Sequence, residues 1–448
     1  MTGAMARAAE RPSTSAFTVP PGLQTEVDFW KSVFARYSKY EVVVHDTEHL
    51  DRVYSVLDFQ PLAANGLTDG QVEQIVSQSA EEEKERIRAL LLRLHREGDD
   101  GPFTPEEERI VRLFHNERDP NKFLRASAPD RIRAQIGLRE RFARGIEVAH
   151  AYFPDMEEIF RQEGVPPEIT RLTLVESCFN VNAYSKAGAA GVWQFLPATG
   201  RLYDLRIDDT VDDRRDPIAS TRASARFLRQ SYEKLGSWPL AIVSYNHGPG
   251  GVARGVEEVG TTDIVTIIRS YHGRAFKFAS RNFFPEFLAA LEVERDHTRY
   301  FGALALRQPI TTDSVYLTDY VSLETVARCA DSSPEEVAQL NPALSRAVYD
   351  GKRRIPSGYR LRLPAGSRNE FQRCYAALPP YKKPPTQVQV AKKRAPARAS
   401  VVHRVRRGQT LSEIARRYGS TVDEIRRRNG IAKGRQPREG QLLRIPTG

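Results

Sequence analysis

The feature that most constrains the fold of this chain is the helical periodicity of residues 217–236. Spacings of three and four residues alternate along one face, at Ile218, Thr221, Ala225, Leu228, Tyr232 and Leu235. Asp212-Asp-Arg-Arg-Asp-Pro217 precedes this stretch and Gly236 follows it, as expected for the start and end of a helix. With 448 residues, 40% of them hydrophobic, the chain has enough apolar material for a large helical core.

Glu176 lies on the apolar face of a second predicted helix. Val165-Pro-Pro-Glu-Ile169 opens that helix, and Ile169, Leu172, Thr173 and Glu176 follow at positions i, i+3, i+4 and i+7. A single helical glutamate is usually exposed or ion-paired. Burial on an apolar face would instead raise its pKa until the carboxyl donates a proton near neutral pH.

Two loops that suit a ligand follow Glu176. Gly188-Ala-Ala-Gly-Val-Trp-Gln-Phe195 is rich in small residues, which allow the backbone to approach a ligand closely. Ser244-Tyr-Asn-His-Gly-Pro-Gly250 adds a hydroxyl and an amide. One acid beside a close backbone wall suits protonation of a buried ether oxygen. The aspartates before Pro217 are interpreted as helix caps, because acids are favoured there.

Four blocks occur in order over residues 165–255: Glu-Ser, Gly-Ala-x-Gly-x-Trp-Gln, Asp-x-Arg-x-Asp-Pro and Tyr-Asn-x-Gly. Together they resemble the catalytic domain of family 1 lytic transglycosylases of bacterial cell walls. The resemblance extends to Phe276-Lys-Phe-Ala-Ser-Arg-Asn-Phe-Phe-Pro-Glu-Phe-Leu288 and, more weakly, to Phe29-Trp-Lys31. Val181 departs from the proline of many relatives, and His247 stands where a small residue is commoner.

The resemblance implies a mainly α protein with a lysozyme-like catalytic domain over residues 151–300. It implies that Glu176 acts alone, as acid and then base, in cleaving the MurNAc–GlcNAc bond without water to leave 1,6-anhydro-MurNAc ends. No cofactor or metal is needed for that reaction. It also implies a set of sugar-binding residues, which are Ser177, Gly191, Gln194, Tyr245 and Asn246.

The C-terminal third contains an internal repeat of strand, helix, helix and strand. In residues 401–448, Thr410 and Glu413 predict a capping box, and this copy resembles a lysin motif, a module that binds GlcNAc-containing glycans. Residues 310–366 form a more divergent copy in the same register. Both small α+β modules are expected to have the βααβ order, and whether the first binds glycan stays open.

Charge and composition divide the remaining chain. Residues 1–21 are predicted to be disordered. Residues 22–150 are predicted to form a mostly helical extension, with helices at 81–97, 105–116 and 130–152 and a strand at 42–45. Residues 367–400 are predicted to form a basic Pro- and Lys-rich linker. Residues 367–448 carry a net charge of +15 in a chain of net +10. The basic region lacks the interleaved aromatic residues on which nucleic-acid bases stack, so we do not expect it to bind nucleic acid. The charge favours attraction to anionic envelope polymers or a membrane surface. Peptidoglycan strands are the partner that the resemblance implies.

Location is predicted from function, because no segment reads as a signal peptide or membrane span. We expect the periplasm or cell envelope, with an export signal removed, a misassigned start or unusual export. The three cysteines, Cys178, Cys329 and Cys374, leave at least one thiol unpaired and do not decide the compartment.

The sequence leaves four alternatives to a lytic transglycosylase open. Cys178 and His247 would suit a cysteine peptidase that cuts peptide stems, although no third orienting group is apparent. His45-Asp-Thr-Glu-His49 matches a zinc-peptidase pattern that requires a helix, whereas the preceding valines predict a strand. The protein could also be a hydrolytic muramidase or a catalytically silent peptidoglycan-binding scaffold.

Overall fold

The computed structural model describes residues 17–98, 102–379, 400–406, 408–429, 431–432, 435–437 and 439–446. The chain separates into two compact units, Met1–Pro379 and Pro380–Gly448. The prediction of a mainly α fold with small α+β regions is confirmed. Order begins earlier than predicted, because Phe17 is buried and packs edge-on against Phe287. The part of the predicted disordered segment at residues 1–16 lies outside the described residues.

The N-terminal part of the first unit combines helices with a sheet. Its elements are a 3₁₀ turn at Pro21–Leu23, then α1 (Gln24–Ala35), β1 (Glu41–Asp46), β2 (Val53–Asp58), α2 (Gln60–Ala64), α3 (Asp69–Glu97), α4 (Pro105–Arg112), α5 (Lys122–Ala126), β3 (Ile132–Ile136) and α6 (Arg139–Ala149). The strands form an antiparallel sheet in the order β2-β1-β3. The strand predicted at residues 42–45 lies within β1, whereas β2 and β3 were not predicted in this extension. Residues 130–152, which read as one helix, begin with β3 because Ile132–Ile136 pairs with the valine-rich β1.

The central part is helical throughout. Its elements are α7 (Phe153–Gln162), a 3₁₀ turn at Pro167–Arg171, α8 (Leu172–Ser177), α9 (Pro197–Leu202), a 3₁₀ turn at Asp213–Arg215, α10 (Pro217–Leu235), α11 (Trp238–His247), α12 (Pro249–Val259), α13 (Ile264–Ser270), α14 (Phe278–Arg295) and α15 (His297–Phe301). Asp216 caps α10 by accepting bonds from the Ile218 and Ala219 amides at 2.9 and 3.0 Å, and Gly236 ends it in a left-handed conformation.

One hydrophobic core joins the N-terminal and central parts. Helix α1 packs along α14, where the Trp30 indole donates a buried hydrogen bond of 2.9 Å to Asn282 Oδ1. Residues from both sides of position 150 belong to this core, so the predicted boundary there does not separate two cores.

The remainder of the first unit is a small α+β module. It consists of β4 (Thr312–Tyr316), α16 (Leu323–Cys329), α17 (Pro334–Leu340), α18 (Arg346–Tyr349), β5 (Arg360–Pro364) and α19 (Arg368–Ala376). Its two strands pair antiparallel. The predicted linker over 367–400 began too early, because Phe371 of α19 is buried in the module core and Cys374 is disulfide-bonded to Cys329. Residues 380–399 of that linker lie outside the described residues.

The second unit contains β6 (Ser400–Arg404), α20 (Leu411–Arg417), α21 (Val422–Asn429) and β7 (Leu442–Pro446), with β6 antiparallel to β7. Leu411, Ile414, Ile425, Leu443 and Ile445 form its core. Thr410 and Glu413 form the capping box that their spacing predicts.

Candidate active site

Glu176 lies in the last turn of α8, in the wall of a large cleft. The helix ends immediately after it, because Cys178 and Phe179 both take positive φ angles of 46° and 51°. Phe179 is buried and packs against the rings of Tyr152 and Phe153. The end of α8 is thus fixed by packing, and Glu176 is held half-buried at the cleft surface.

The environment of Glu176 favours the protonated acid. Burial, with a smaller contribution from the charge of Glu286, raises the pKa of its carboxyl to about 8. Among the described residues no basic side chain forms an ion pair with Glu176. A carboxyl in this state carries its proton at neutral pH and is able to donate it.

Tyr245 on α11 is hydrogen-bonded to the Gly-rich loop, which consists of residues 188–195. Its hydroxyl donates a hydrogen bond of 2.8 Å to the Trp193 carbonyl, and Ser224 Oγ lies 3.2 Å from it. The Trp193 indole is fully buried, stacks on Phe160 and donates to Thr221 Oγ1 at 2.8 Å. Burial raises the pKa of Tyr245, and the nearby Glu176 carboxylate adds to that shift.

The polar side chains predicted to bind sugar already have protein partners. Ser177 Oγ donates to the Thr173 and Val192 carbonyls, at 3.1 and 3.0 Å. Gln194 Nε2 donates to the Gly191 carbonyl, and Asn246 Oδ1 accepts from Ser280 Oγ, both at 2.9 Å. The Ser177 contact with Val192 joins α8 to the loop of residues 188–195. The Asn246 contact joins α11 to α14, because residues 244–247, predicted as part of a loop, form the last turn of α11. Contact of these polar side chains with a substrate stays a prediction.

Gly191 is required by the protein's own backbone. Its φ is +76°, and a Cβ atom at this position would lie 1.8 Å from the Arg214 carbonyl oxygen. Any side chain would therefore push the loop away from residues 214–215. This close approach explains the glycine without a ligand, so its predicted role in sugar binding has a structural alternative.

Arg214 holds the Gly-rich loop from the other side. Its guanidinium donates to the carbonyls of Gly188 and Phe195, at 2.7 and 3.1 Å. Asp212 pairs with the same guanidinium at 2.7 Å. The Asp-x-Arg-x-Asp-Pro block therefore has a structural role, because Arg214 positions the loop and Asp216 caps α10. The cap at Asp216 agrees with the interpretation of these aspartates as helix caps.

Glu286 on α14 is a second acid close to the site, and it was not among the site residues predicted from the sequence. It is half-buried between the buried residues Pro285 and Phe287, and α14 packs against α8. Burial raises its pKa to about 8, and the charge of Arg133 opposes that shift. The sequence does contain a signal for this acid, because Glu286 stands between Phe284-Pro285 and Phe287 in an apolar helix.

The cysteine and zinc alternatives find no assembled site. Burial raises the pKa of the Cys178 thiol to about 11, which disfavours the nucleophilic thiolate. His247 packs against Tyr271 and Phe276. His45 is buried in β1 rather than on a helix, and its Nδ1 lies 2.8 Å from the Asp46 carbonyl. In the described parts of the chain, no three His, Cys, Asp or Glu side chains are grouped as metal ligands.

The cleft around Glu176 has a volume of about 1630 Å³. Small-molecule sites usually have volumes of roughly 300–1000 Å³, so the cleft is large enough for part of a polymer. None of the helices in the described ranges is long and apolar enough to span a bilayer.

Comparison with known proteins identifies two domains. Residues 157–268 match the transglycosylase SLT domain, and residues 403–446 match the LysM domain. Glu176, Gln194 and Tyr245 all lie within the range that matches the transglycosylase SLT domain.

Among individual proteins, the chain is homologous to membrane-bound lytic murein transglycosylase D of Escherichia coli strain K12. The two are 27% identical over 295 residues, which are 64% of this chain and 62% of the relative. The protein of the same name from E. coli O6:H1 matches to the same extent.

Solved structures that resemble the chain include an inactive mutant of the lytic transglycosylase Slt from Pseudomonas aeruginosa. That match has 19% identity and a TM-score of 0.28, over 46% of this chain and 32% of the other. The 70 kDa soluble lytic transglycosylase of E. coli matches with 15% identity and the same TM-score, over 51% and 45% of the respective chains.

Proposed function

We propose that this protein is a peptidoglycan lytic transglycosylase that cleaves the β-1,4 bond between MurNAc and GlcNAc. The observation that carries the proposal is the half-buried Glu176 in the cleft, whose pKa is raised to about 8. The match of residues 157–268 to the SLT domain gives this acid its chemical context.

In the proposed reaction Glu176 donates its proton to the glycosidic oxygen as the bond from that oxygen to MurNAc C1 breaks. The substrate's own acetamido carbonyl stabilises the positive charge at C1, which removes the need for a second carboxylate. The Glu176 carboxylate then takes the proton of the MurNAc 6-hydroxyl while O6 bonds to C1. The product ends in 1,6-anhydro-MurNAc, Glu176 regains its proton, and no water is consumed.

The electrostatics of the site suit both halves of this cycle. A pKa of about 8 keeps the acid protonated before the reaction. After the proton has left, the carboxylate is poorly solvated and lies near Glu286, so it is a stronger base than an exposed glutamate. Tyr245 acts as a positioning residue, because its hydroxyl fixes the Trp193 carbonyl and hence the loop that borders the acid.

The LysM domain would bind GlcNAc-containing glycan and keep the catalytic unit on the polymer. The strongly basic C-terminal region would add screened attraction to anionic envelope polymers or a membrane surface. A periplasmic or envelope location is supported by the Cys329–Cys374 disulfide, since disulfides persist mainly in oxidising compartments.

A hydrolytic muramidase is the second candidate, and Glu286 is the observation that favours it. Hydrolytic glycosidases commonly use two carboxyl groups, one as acid and the other as base or nucleophile. Glu286 interacts electrostatically with Glu176 and has a similarly raised pKa. In that mechanism the product would carry one additional water.

Mass spectrometry of products from purified sacculi tests these alternatives. Wild-type protein should release fragments ending in 1,6-anhydro-MurNAc, and Glu176→Gln should lower turnover by at least about a thousandfold because the proton donor is lost. The matched control is Glu258→Gln, an exposed glutamate on α12, which should behave as wild type. Circular dichroism establishes that each variant is folded.

Each other result would count against the proposal in a distinct way. Fragments heavier by one water would indicate a muramidase, and freed peptides would indicate the peptidase. Absence of any product from wild type would favour the silent scaffold. Full activity in a folded Glu176→Gln variant would remove Glu176 from the mechanism.

A further inference from the structure

The α+β module of residues 310–379 is called here the docked module. Backbone hydrogen bonds join it to the central helical part of residues 153–301, which is called below the catalytic part. The Asp212 amide donates to the Ala343 carbonyl at 2.8 Å, and the Ser345 amide donates to the Thr210 carbonyl at 2.9 Å. Val211 and Leu344 form a β-bridge between these bonds. The Val211 side chain is itself part of the module's hydrophobic core. A freely tethered domain would not share its core in this way.

A charge pair reinforces the same interface. Arg362 on β5 donates to both carboxylate oxygens of Asp216, at 2.5 and 3.0 Å. Asp216 is buried and simultaneously caps α10. A bidentate arginine–carboxylate contact fixes orientation as well as distance. The docked module therefore has one defined position on the catalytic part.

That position brings the docked module into the cleft of Glu176. The module contributes part of the cleft wall, consisting of Glu336, Ala338, Gln339, Leu340, Pro342 and Tyr349. Arg215 connects this wall to the catalytic part, because its guanidinium donates to the Leu344 carbonyl and to Asn182 Oδ1, both at 3.2 Å. Asn182 lies in the loop that follows Glu176 and also lines the cleft.

The wall offers groups that suit an N-acetylated sugar polymer. Gln339 is exposed, and its amide has no hydrogen-bond partner among the described residues. Tyr349 adds an aromatic ring, whose hydroxyl is engaged with the Asn341 carbonyl. Free amides and aromatic faces are groups with which sugar hydroxyls, acetamido groups and apolar ring faces interact.

We propose that the docked module is a fixed wall of the substrate cleft and binds the glycan strand beyond the sugars that contact Glu176. This inference rests on the proposed function, because it takes peptidoglycan as the polymer in the cleft. It assigns the docked module a substrate subsite instead of the role of an independent anchor. The catalytic part should then prefer long glycan chains even without the C-terminal LysM domain.

Gln339 allows a test that does not disturb the core. We compare Gln339→Ala and Gln339→Trp with wild type on peptidoglycan oligomers of two disaccharides and on chains long enough to fill the cleft. The matched controls are Gln372→Ala and Gln372→Trp, because Gln372 is an exposed glutamine of α19 outside the cleft.

For Gln339→Ala, KM on the long chains should rise about three- to tenfold, the loss of one neutral hydrogen bond, while kcat and all values on the short oligomer stay unchanged. Gln339→Trp should raise KM more, and the Gln372 variants should match wild type. Equal effects on both chain lengths, or none, would overturn the subsite.

A binding measurement separates this inference from the proposed function. In a Glu176→Gln background, calorimetric titration with the same oligomers should show tighter binding of the long chain, and Gln339→Trp should remove that preference. This result would support the subsite even if wild type released no product. Equal affinity for both lengths would overturn the subsite while leaving any observed turnover intact.

Discussion

At the scale of single residues, the site depends on how burial changes the acidity of two glutamates. Glu176 and Glu286 are both half-buried, and burial is the first cause of the raised pKa of each. Arg133 opposes the shift at Glu286.

We predict that Glu286→Gln moves the alkaline limb of the kcat profile to lower pH. Removing the Glu286 charge removes one cause of the raised Glu176 pKa. The shift should be less than about one pH unit, because burial is the larger cause and remains. Turnover measured from pH 5 to 10 gives the limb, and Glu258→Gln is the control. An unchanged limb would show that the two carboxyl groups are not coupled during catalysis.

The same substitution should change how stability depends on pH. Between about pH 4.5 and 8 an unfolded glutamate loses its proton while folded Glu286 retains it, so wild-type stability falls as pH rises. Glu286→Gln should remove that loss, up to about 1.4 kcal/mol per pH unit. Denaturant unfolding at pH 5 and pH 8 measures the difference. A variant with the same pH dependence as wild type would contradict the raised pKa.

At the scale of elements, helix ends position the chemistry and one disulfide joins two helices. The end of α8 presents Glu176, and the capped start of α10 carries the aspartate that binds Arg362. Within the docked module, Cys329 at the end of α16 bonds to Cys374 in α19. This bond holds α19 against the rest of the docked module.

We predict that Cys329→Ala/Cys374→Ala loosens α16 and α19 without altering the acid. For cysteines 45 positions apart, loop entropy corresponds to about 4 kcal/mol, or about a thousandfold faster hydrogen exchange in the most protected amides. Hydrogen exchange with mass spectrometry on the full chain measures this change, and Cys178→Ser is the control for loss of a thiol. Unchanged protection in α19 would mean that Phe371 packing alone holds the helix.

At the scale of the whole molecule, the two units differ in charge and in composition. Residues 1–379 carry a net charge of −4, whereas residues 380–448 carry +14. The acid, its loops and the docked module all belong to the first unit, and the LysM match belongs to the second. We therefore expect truncation to separate the proposed catalysis from the proposed attachment to the polymer.

We predict that a chain ending at Pro379 retains turnover of short soluble glycans but binds intact sacculi more weakly. Truncation there spares α19, which a cut at residue 366 would remove from the module core. The charge contribution to binding should fade as salt rises, while specific sugar contacts persist. Pull-down with sacculi at low and high salt separates them. Equal retention of both chains at both salt concentrations would show that the second unit is not an anchor.

The sequence by itself determined the features that local interactions encode. The 3.6-residue periodicity located α10, its proline, aspartate and glycine marked its ends, and the apolar face of α8 identified Glu176. The capping box of Thr410 and Glu413 was also predicted from the sequence, because its two residues are only three positions apart.

The tertiary structure alone decided which distant elements meet. Glu286 is 110 positions from Glu176 in sequence, and only the packing of α14 on α8 makes it relevant to the acid. Residues 132–136 were predicted to be helical from their local pattern. They form a strand because they pair with the edge of β1. The docked module became part of the cleft through Arg362 and Asp216, 146 positions apart. Burial and pairing depend on neighbours that local pattern does not specify, so these features required the fold.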